Sequence, residues 1–141
     1  MRLDLYQKET QQLALLQTAM LKEAKEKLQT GQNLSLLEQS GVLHALQVLI
    51  ENAIGKAKHI LKASNELVPV SAYDTFANLV HLGVLPANEL PKWNAVLGIR
   101  NRIVHDYMNL DMAVIFDVVI NQRYGFVADF LFQPIDMIGK S

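Results

Sequence analysis

The sequence predicts an all-α fold, a single up-and-down antiparallel bundle of four or five helices. Three observations predict it. Apolar residues recur at steps of three and four through most of the chain, helix-boundary residues stand where those runs begin and end, and no run alternates persuasively as a half-buried strand would. The chain has 141 residues, half of them apolar, which is the size of one domain with a sizeable core.

In the first helix Leu13, Leu16, Met20, Ala24 and Leu28 step by three or four and are expected to face the core. The mixed charges from Lys22 to Lys27 cancel, so they read as a solvated face rather than a basic patch. A turn at Gly31-Gln32-Asn33 ends this helix. Ser35 with Glu38 three residues on forms the signature of a capping box that opens the second. From Val42 to Leu61 the second helix carries two apolar stripes, Val42/Leu46/Leu49/Ala53/Ala57/Ile60 and Leu43/Ile50/Ile54/Leu61. A helix apolar on two sides needs two partners, one the domain's own core and the other a candidate face for a second subunit.

Pro69 and Ser71 open a third helix, with Ser71 as N-cap and Asp74 three residues in, and Gly83 closes it. Pro86 to Pro91 reads as a connector, and Pro91 suits the first turn of the helix that follows. Asn109 and Asp111 break and recap the chain before a last helix holding Met112, Phe116, Val119, Ile120, Val127 and Phe130, with a kink expected at Gly125 and a stop at Pro134.

The net charge of −1 excludes an overall basic field, so any nucleic-acid site must be local. The absence of cysteine excludes disulfides and thiolate metal sites. The amino end lacks an apolar signal core and no apolar run approaches the ~20 residues that span a bilayer, so a cytoplasmic protein is expected.

The chemistry is concentrated between Arg100 and Tyr107, which read Arg-Asn-Arg-Ile-Val-His-Asp-Tyr. A permanently charged guanidinium, an amide, an imidazole and a phenol within two helical turns suit phosphodiester chemistry. On a helix, Trp93, Leu97, Arg100, Val104 and Tyr107 fall in one row flanked by Val96 and Ile103, so an arginine stands in an apolar stripe. A second row carries Asn94, Gly98, Asn101 and His105. Its glycine implies close approach by a backbone, a partner helix or a ligand phosphate. Arg102 and Asp106 sit at i, i+4 as an exposed ion pair. Taken singly, these residues have ordinary readings: Arg100 as a snorkelling stem, His105 as a packed histidine, Tyr107 as a core aromatic. His44, His59 and His81 read as surface or capping residues. No metal-ligand spacing, phosphate loop or serine nucleophile motif is present.

Arg100, four residues, His105, one residue and Tyr107 resemble the Arg-x4-6-His-x-Tyr motif of HEPN domains, specifically the toxin half of the HEPN/MNT toxin–antitoxin pairs. The likeness extends upstream through Ser71-Ala72-Tyr73-Asp74-Thr75-Phe76, Leu79, Gly83 and Val84, and to Ala53-Ile54 with His59-Ile60. It covers residues 1–133, leaving 134–141 as a short tail. One departure is Gly55, where an acidic residue is expected, and this puts the role of the second helix in doubt. The resemblance implies a metal-independent endoribonuclease toxin with no cofactor, whose catalytic residues are Arg100, Asn101 and His105. It also implies a homodimer cleft, lined here by Asn94 and Gly98, and this fits the geometry. Arg100 and His105 lie about 140° apart on an ideal helix, so two copies facing across a two-fold axis can border one groove where a single helix cannot. RNA is the implied substrate and DNA is not. The implied partner is a minimal nucleotidyltransferase antitoxin that adds AMP to Tyr107. The alternative is a non-catalytic helical subunit that supports nucleotide binding by a nucleotidyltransferase.

Overall fold

The helix boundaries follow local hydrogen-bond chemistry. In the computed structural model, which describes residues 3–134 and side chains from residue 5, α1 (Leu3–Gln29) ends in a turn at Gly31, whose φ of 80° suits glycine. α2 (Leu36–Ala63) opens on the expected capping box: Ser35 Oγ accepts from the Glu38 amide while the Glu38 carboxylate accepts from the Ser35 amide. Lys27 reaches the same carboxylate and ties the end of α1 to the start of α2. α3 (Ala72–His81) is capped by Ser71, which accepts from the Asp74 amide. It closes at Gly83, φ 79°, where the Gly83 and Val84 amides turn back to the Val80 and Leu79 carbonyls.

A 3-10 turn at Ala87–Glu89 leads into α4 (Leu90–His105), which carries Pro91 in its first turn. A second 3-10 turn, Tyr107–Asn109, precedes α5 (Met112–Ile120), capped by Asp111, and α6 (Gly125–Phe132) follows. The last expected helix is therefore two. The Asn121 and Arg123 amides turn back to Asp117 and Val118, closing α5 before Gly125, so that residue begins α6 instead of kinking a continuous helix. Of the tail expected at 134–141, only Pro134 lies within the described residues.

α2 is the axis of the bundle and packs against α1, α3, α4 and α6. Its two apolar stripes are both covered from within the chain: Val42, Leu46, Leu49, Ala53, Ala57 and Ile60 are buried, and so are Leu43, Ile50 and Leu61. Ile54, the fourth residue of the second stripe, is only partly buried, so the domain itself covers most of that stripe. α1 also corrects its expected orientation. Ala24 is buried and Leu28 partly so, as expected, but Leu13, Leu16 and Met20 are exposed, and Thr10, Ala14, Gln17, Thr18 and Leu21 are buried in their place. Thr10 and Thr18 can go inside because their hydroxyls donate to the Tyr6 and Ala14 carbonyls one turn back, leaving only methyl groups to pack.

Candidate functional site on α4

The buried side of α4 holds its exposed side in place. Trp93, Val96, Leu97 and Ile103 are in the core. The Trp93 ring stacks on Phe76 of α3 at 4.2 Å and meets Phe126 and Phe130 of α6 edge-on. With one side of the helix pinned by a large aromatic, the rotational position of Arg100, two turns further along the same row, is settled.

Arg100 is half-buried and does not end free in solvent. Its Nε and Nη2 both donate to one oxygen of Glu51, at 3.1 and 2.8 Å. Its Nη1 donates to Asn101 Oδ1 at 3.1 Å, and Asn101 Nδ2 donates to the Tyr73 hydroxyl at 3.4 Å. One chain of polar contacts therefore joins α2, α4 and α3. Three of the five guanidinium N–H groups are spent on it, and two remain for an anion. Glu51 thus fixes the guanidinium's plane and lowers its net charge while leaving it able to grip a phosphate oxygen.

Glu51 is the residue that the motif does not announce. It stands 49 positions before Arg100, so no local spacing pairs them. The signal available was that Glu51 is the only acidic residue between Glu38 and Glu66, set in an otherwise apolar stretch. It lies one turn before Gly55, on the same row of α2.

The polar strip faces outward as expected: Asn94 and His105 are exposed, and Gly98 and Asn101 are partly so. Within the chain, what approaches Gly98 is the Tyr73 hydroxyl, 3.7 Å from where a Cβ would stand. That is ordinary contact, so the chain's own packing would admit alanine, and any need for glycine comes from outside the protomer. His105 is the last residue of α4, and its imidazole is open to solvent with no partner among the described residues.

Tyr107 corrects the helical reading. Asp106 leaves helical geometry at φ −142°, ψ 41°, and the second 3-10 turn begins immediately after it. Tyr107 is therefore not on the row of Trp93, Leu97 and Arg100. It is half exposed and lines a shallow cleft with Leu36, Gln39, Ser40 and Leu43 at the start of α2. The same break removes the expected Arg102–Asp106 pair. Asp106 Oδ1 instead accepts from Asn109 at 2.7 Å, and Arg102 stands exposed with no acidic partner among the described residues.

Among the described residues no three His, Asp or Glu side chains are placed to hold a metal ion, and no helix is long and apolar enough to cross a membrane. His44 and His81 lie on the surface, while His59 is half-buried with its ring stacked on Tyr6 at 4.6 Å.

Two solved structures share this fold. One, described as a toxin–antitoxin crystal structure with AMP-PNP, aligns with 84% of this chain and 97% of its own at a TM-score of 0.64 and 21% identity. The other is the tri-AMPylated HEPN toxin of Shewanella oneidensis in complex with an MNT antitoxin, with 84% of this chain and 96% of that one covered, a TM-score of 0.63 and 23% identity. The fold is thus the HEPN helical bundle. The chain belongs to the HepT-like ribonuclease family, whose model, described as Ribonuclease HepT-like, matches residues 11–131. No curated protein matches the sequence.

Proposed function

We propose that the protein is the toxin of a toxin–antitoxin pair and a metal-independent endoribonuclease that acts through Arg100, Asn101 and His105 at a homodimer cleft. The observation that carries this is the pairing on one helix of a guanidinium fixed in place with two N–H groups to spare and, one strip over, an imidazole open to solvent. Arg100 holds a phosphate of the RNA, helped by the Asn101 amide. The ribose 2′-oxygen attacks the phosphorus as the bond to the 5′-oxygen breaks. His105 takes the 2′-hydroxyl proton while water protonates the leaving 5′-oxygen, or it gives a proton to that oxygen while water takes the one from the 2′-hydroxyl. The angle of about 140° between the two side chains supports a cleft built by two copies facing across Asn94 and Gly98. A 2′-hydroxyl is required, so DNA is inert.

Tyr107 is the AMP acceptor for a minimal nucleotidyltransferase antitoxin. In favour of this are the half-exposed phenol two residues beyond His105 and a relative of the same fold whose toxin is described as tri-AMPylated. Each AMP brings a phosphodiester charge to the end of the catalytic helix, where RNA phosphate would otherwise bind.

A cleavage assay with three arms tests the reading. The parent protein should cut RNA, and His105→Ala should be silent with unchanged circular dichroism. Parent protein treated with transferase, ATP and Mg²⁺ should lose cleavage as the Tyr107 peptide gains mass increments of about 329 Da, the composition of one AMP unit. A His105→Ala protein that cuts at the parental rate overturns the catalytic assignment.

A further inference from the structure

On the other flank of α4 lies a cleft that the reaction described above does not use. It opens between α4 and the α5–α6 turn, holds about 540 Å³, and has Ala95, Ile99 and Phe126 among its walls with Lys92, Gln122 and Arg123 at its edge. Counted around α4 from Arg100, Asn101 points to one side, and Lys92, Ala95 and Ile99 to the other. Arg102, exposed and with no acidic partner among the described residues, stands between His105 and this cleft.

The cleft is braced rather than loose. Phe126 is held edge-on against Trp93 at 4.9 Å and 84°. Asp117 accepts from Asn121 Nδ2 at 2.6 Å and from Arg123 Nε at 2.7 Å, which fixes the edge and leaves the other two guanidinium nitrogens of Arg123 free to donate. Gln122 sits at φ 48°, in the left-handed region that non-glycine residues rarely adopt, so its side chain stands at the cleft at some conformational cost. An aromatic wall, an amide and two cations at the edge are the components of a site for a nucleobase with its phosphate. An apolar knob from a protein would offer no acceptor to the Lys92 ammonium or to the two spare guanidinium nitrogens of Arg123.

We propose that this cleft is a base-binding subsite for single-stranded RNA, reached by the strand that crosses Arg102 from the phosphate held at Arg100 and His105. The proposal rests on the ribonuclease reading and extends it to substrate selection. Strands long enough to span both sites should bind more tightly than short ones, and structured RNA, whose bases are not free to enter, should be cut less well.

The test compares the parent with Lys92→Glu/Arg123→Glu on two substrates, a dinucleotide too short to reach the cleft and a single-stranded RNA long enough to span α4. The variant should raise KM about tenfold for the long RNA, as loss of two cationic contacts and a stacked base implies, with kcat and dinucleotide cleavage unchanged. Long RNA carrying 5-iodouridine should crosslink under ultraviolet light to the peptide containing Phe126. An unchanged KM without that crosslink overturns the subsite, as does equal loss on both substrates or a variant that turns monomeric by light scattering, which would make the cleft a packing or dimer feature. A parent that cuts neither substrate overturns the ribonuclease reading, and the subsite with it.

Discussion

Two cations packed along the central helix show how differently the same charge can be used. Lys56 reaches from α2 to α6 in the interior, while Arg100 reaches from α4 back to α2 at the edge of the core. Lys56 is fully buried, its ammonium donates to the Phe130 and Gln133 carbonyls at the end of α6, and it lies 4.8 Å from the centre of the Phe130 ring. Among the described residues no carboxylate faces it. It satisfies the last carbonyls of a helix, and with no surface exposed its third donor cannot reach a ligand. Arg100 is paired with an acid, partly open, and keeps two donors unspent. Partners and exposure, not charge, separate a cation closed inside the core from one left open to an anion.

The first way to break this comparison is to truncate each. Arg100→Ala should lower RNA cleavage by a factor of about 100 or more, because it removes a donor to the reacting phosphate, while a half-exposed pair costs the fold no more than about 1 kcal/mol. Lys56→Ala should do the reverse. Two carbonyls lose their donor and a cavity opens, for about 3 kcal/mol and a drop in Tm on the order of 10 °C, with cleavage per folded molecule kept. Thermal melts and cleavage assays on both variants check this, and the comparison fails if the two profiles coincide.

Titration sharpens it further. Burial pushes the Lys56 ammonium down to about 8 from the usual lysine range, so between there and about 10.4 the unfolded chain holds a proton that the folded one has released. Stability should therefore rise as pH climbs from about 8 toward 10. Above about 10 the trend should reverse, because burial raises the phenols of Tyr6 and Tyr124, and the folded protein then keeps protons that the unfolded one loses. Lys56→Met keeps the stem and should abolish the rise. Denaturant unfolding at stepped pH measures both.

The smallest effect concerns Glu51. Glu51→Gln keeps an acceptor for Arg100 but weakens a charge-assisted bond, so kcat should fall about three- to tenfold as the guanidinium's orientation loosens. KM for RNA should stay level or fall, since a negative charge beside the phosphate has gone. Steady-state kinetics decides, and a raised KM would mean that Glu51 contacts the substrate directly.

What the sequence made legible were features written in neighbouring residues. Ser35 with Glu38, Ser71 with Asp74, and Asp111 each cap a helix through bonds spanning three residues or fewer. The motif on α4 was legible for the same reason. The outward turn of α1 was not, because counting Leu and Met along a helix overlooks Thr10 and Thr18, whose hydroxyls are satisfied by their own backbone. The end of α4 at His105 was hidden because the Asp106–Asn109 contact outweighs an apolar row that continues in sequence to Tyr107. Glu51 and the acceptors of Lys56 were out of reach, lying 49, 74 and 77 positions from their partners.

The central claim is that the α4 strip is a ribonuclease centre using the substrate's own 2′-hydroxyl. Mass spectrometry of RNA ends after incubation with purified protein in excess EDTA tests it most directly. The account predicts a 2′,3′-cyclic phosphate or its hydrolysis product at each cut, and no cut where the scissile nucleotide carries 2′-deoxyribose. Cleavage that appears only when a divalent metal is restored, or that proceeds through the 2′-deoxy position, would contradict it.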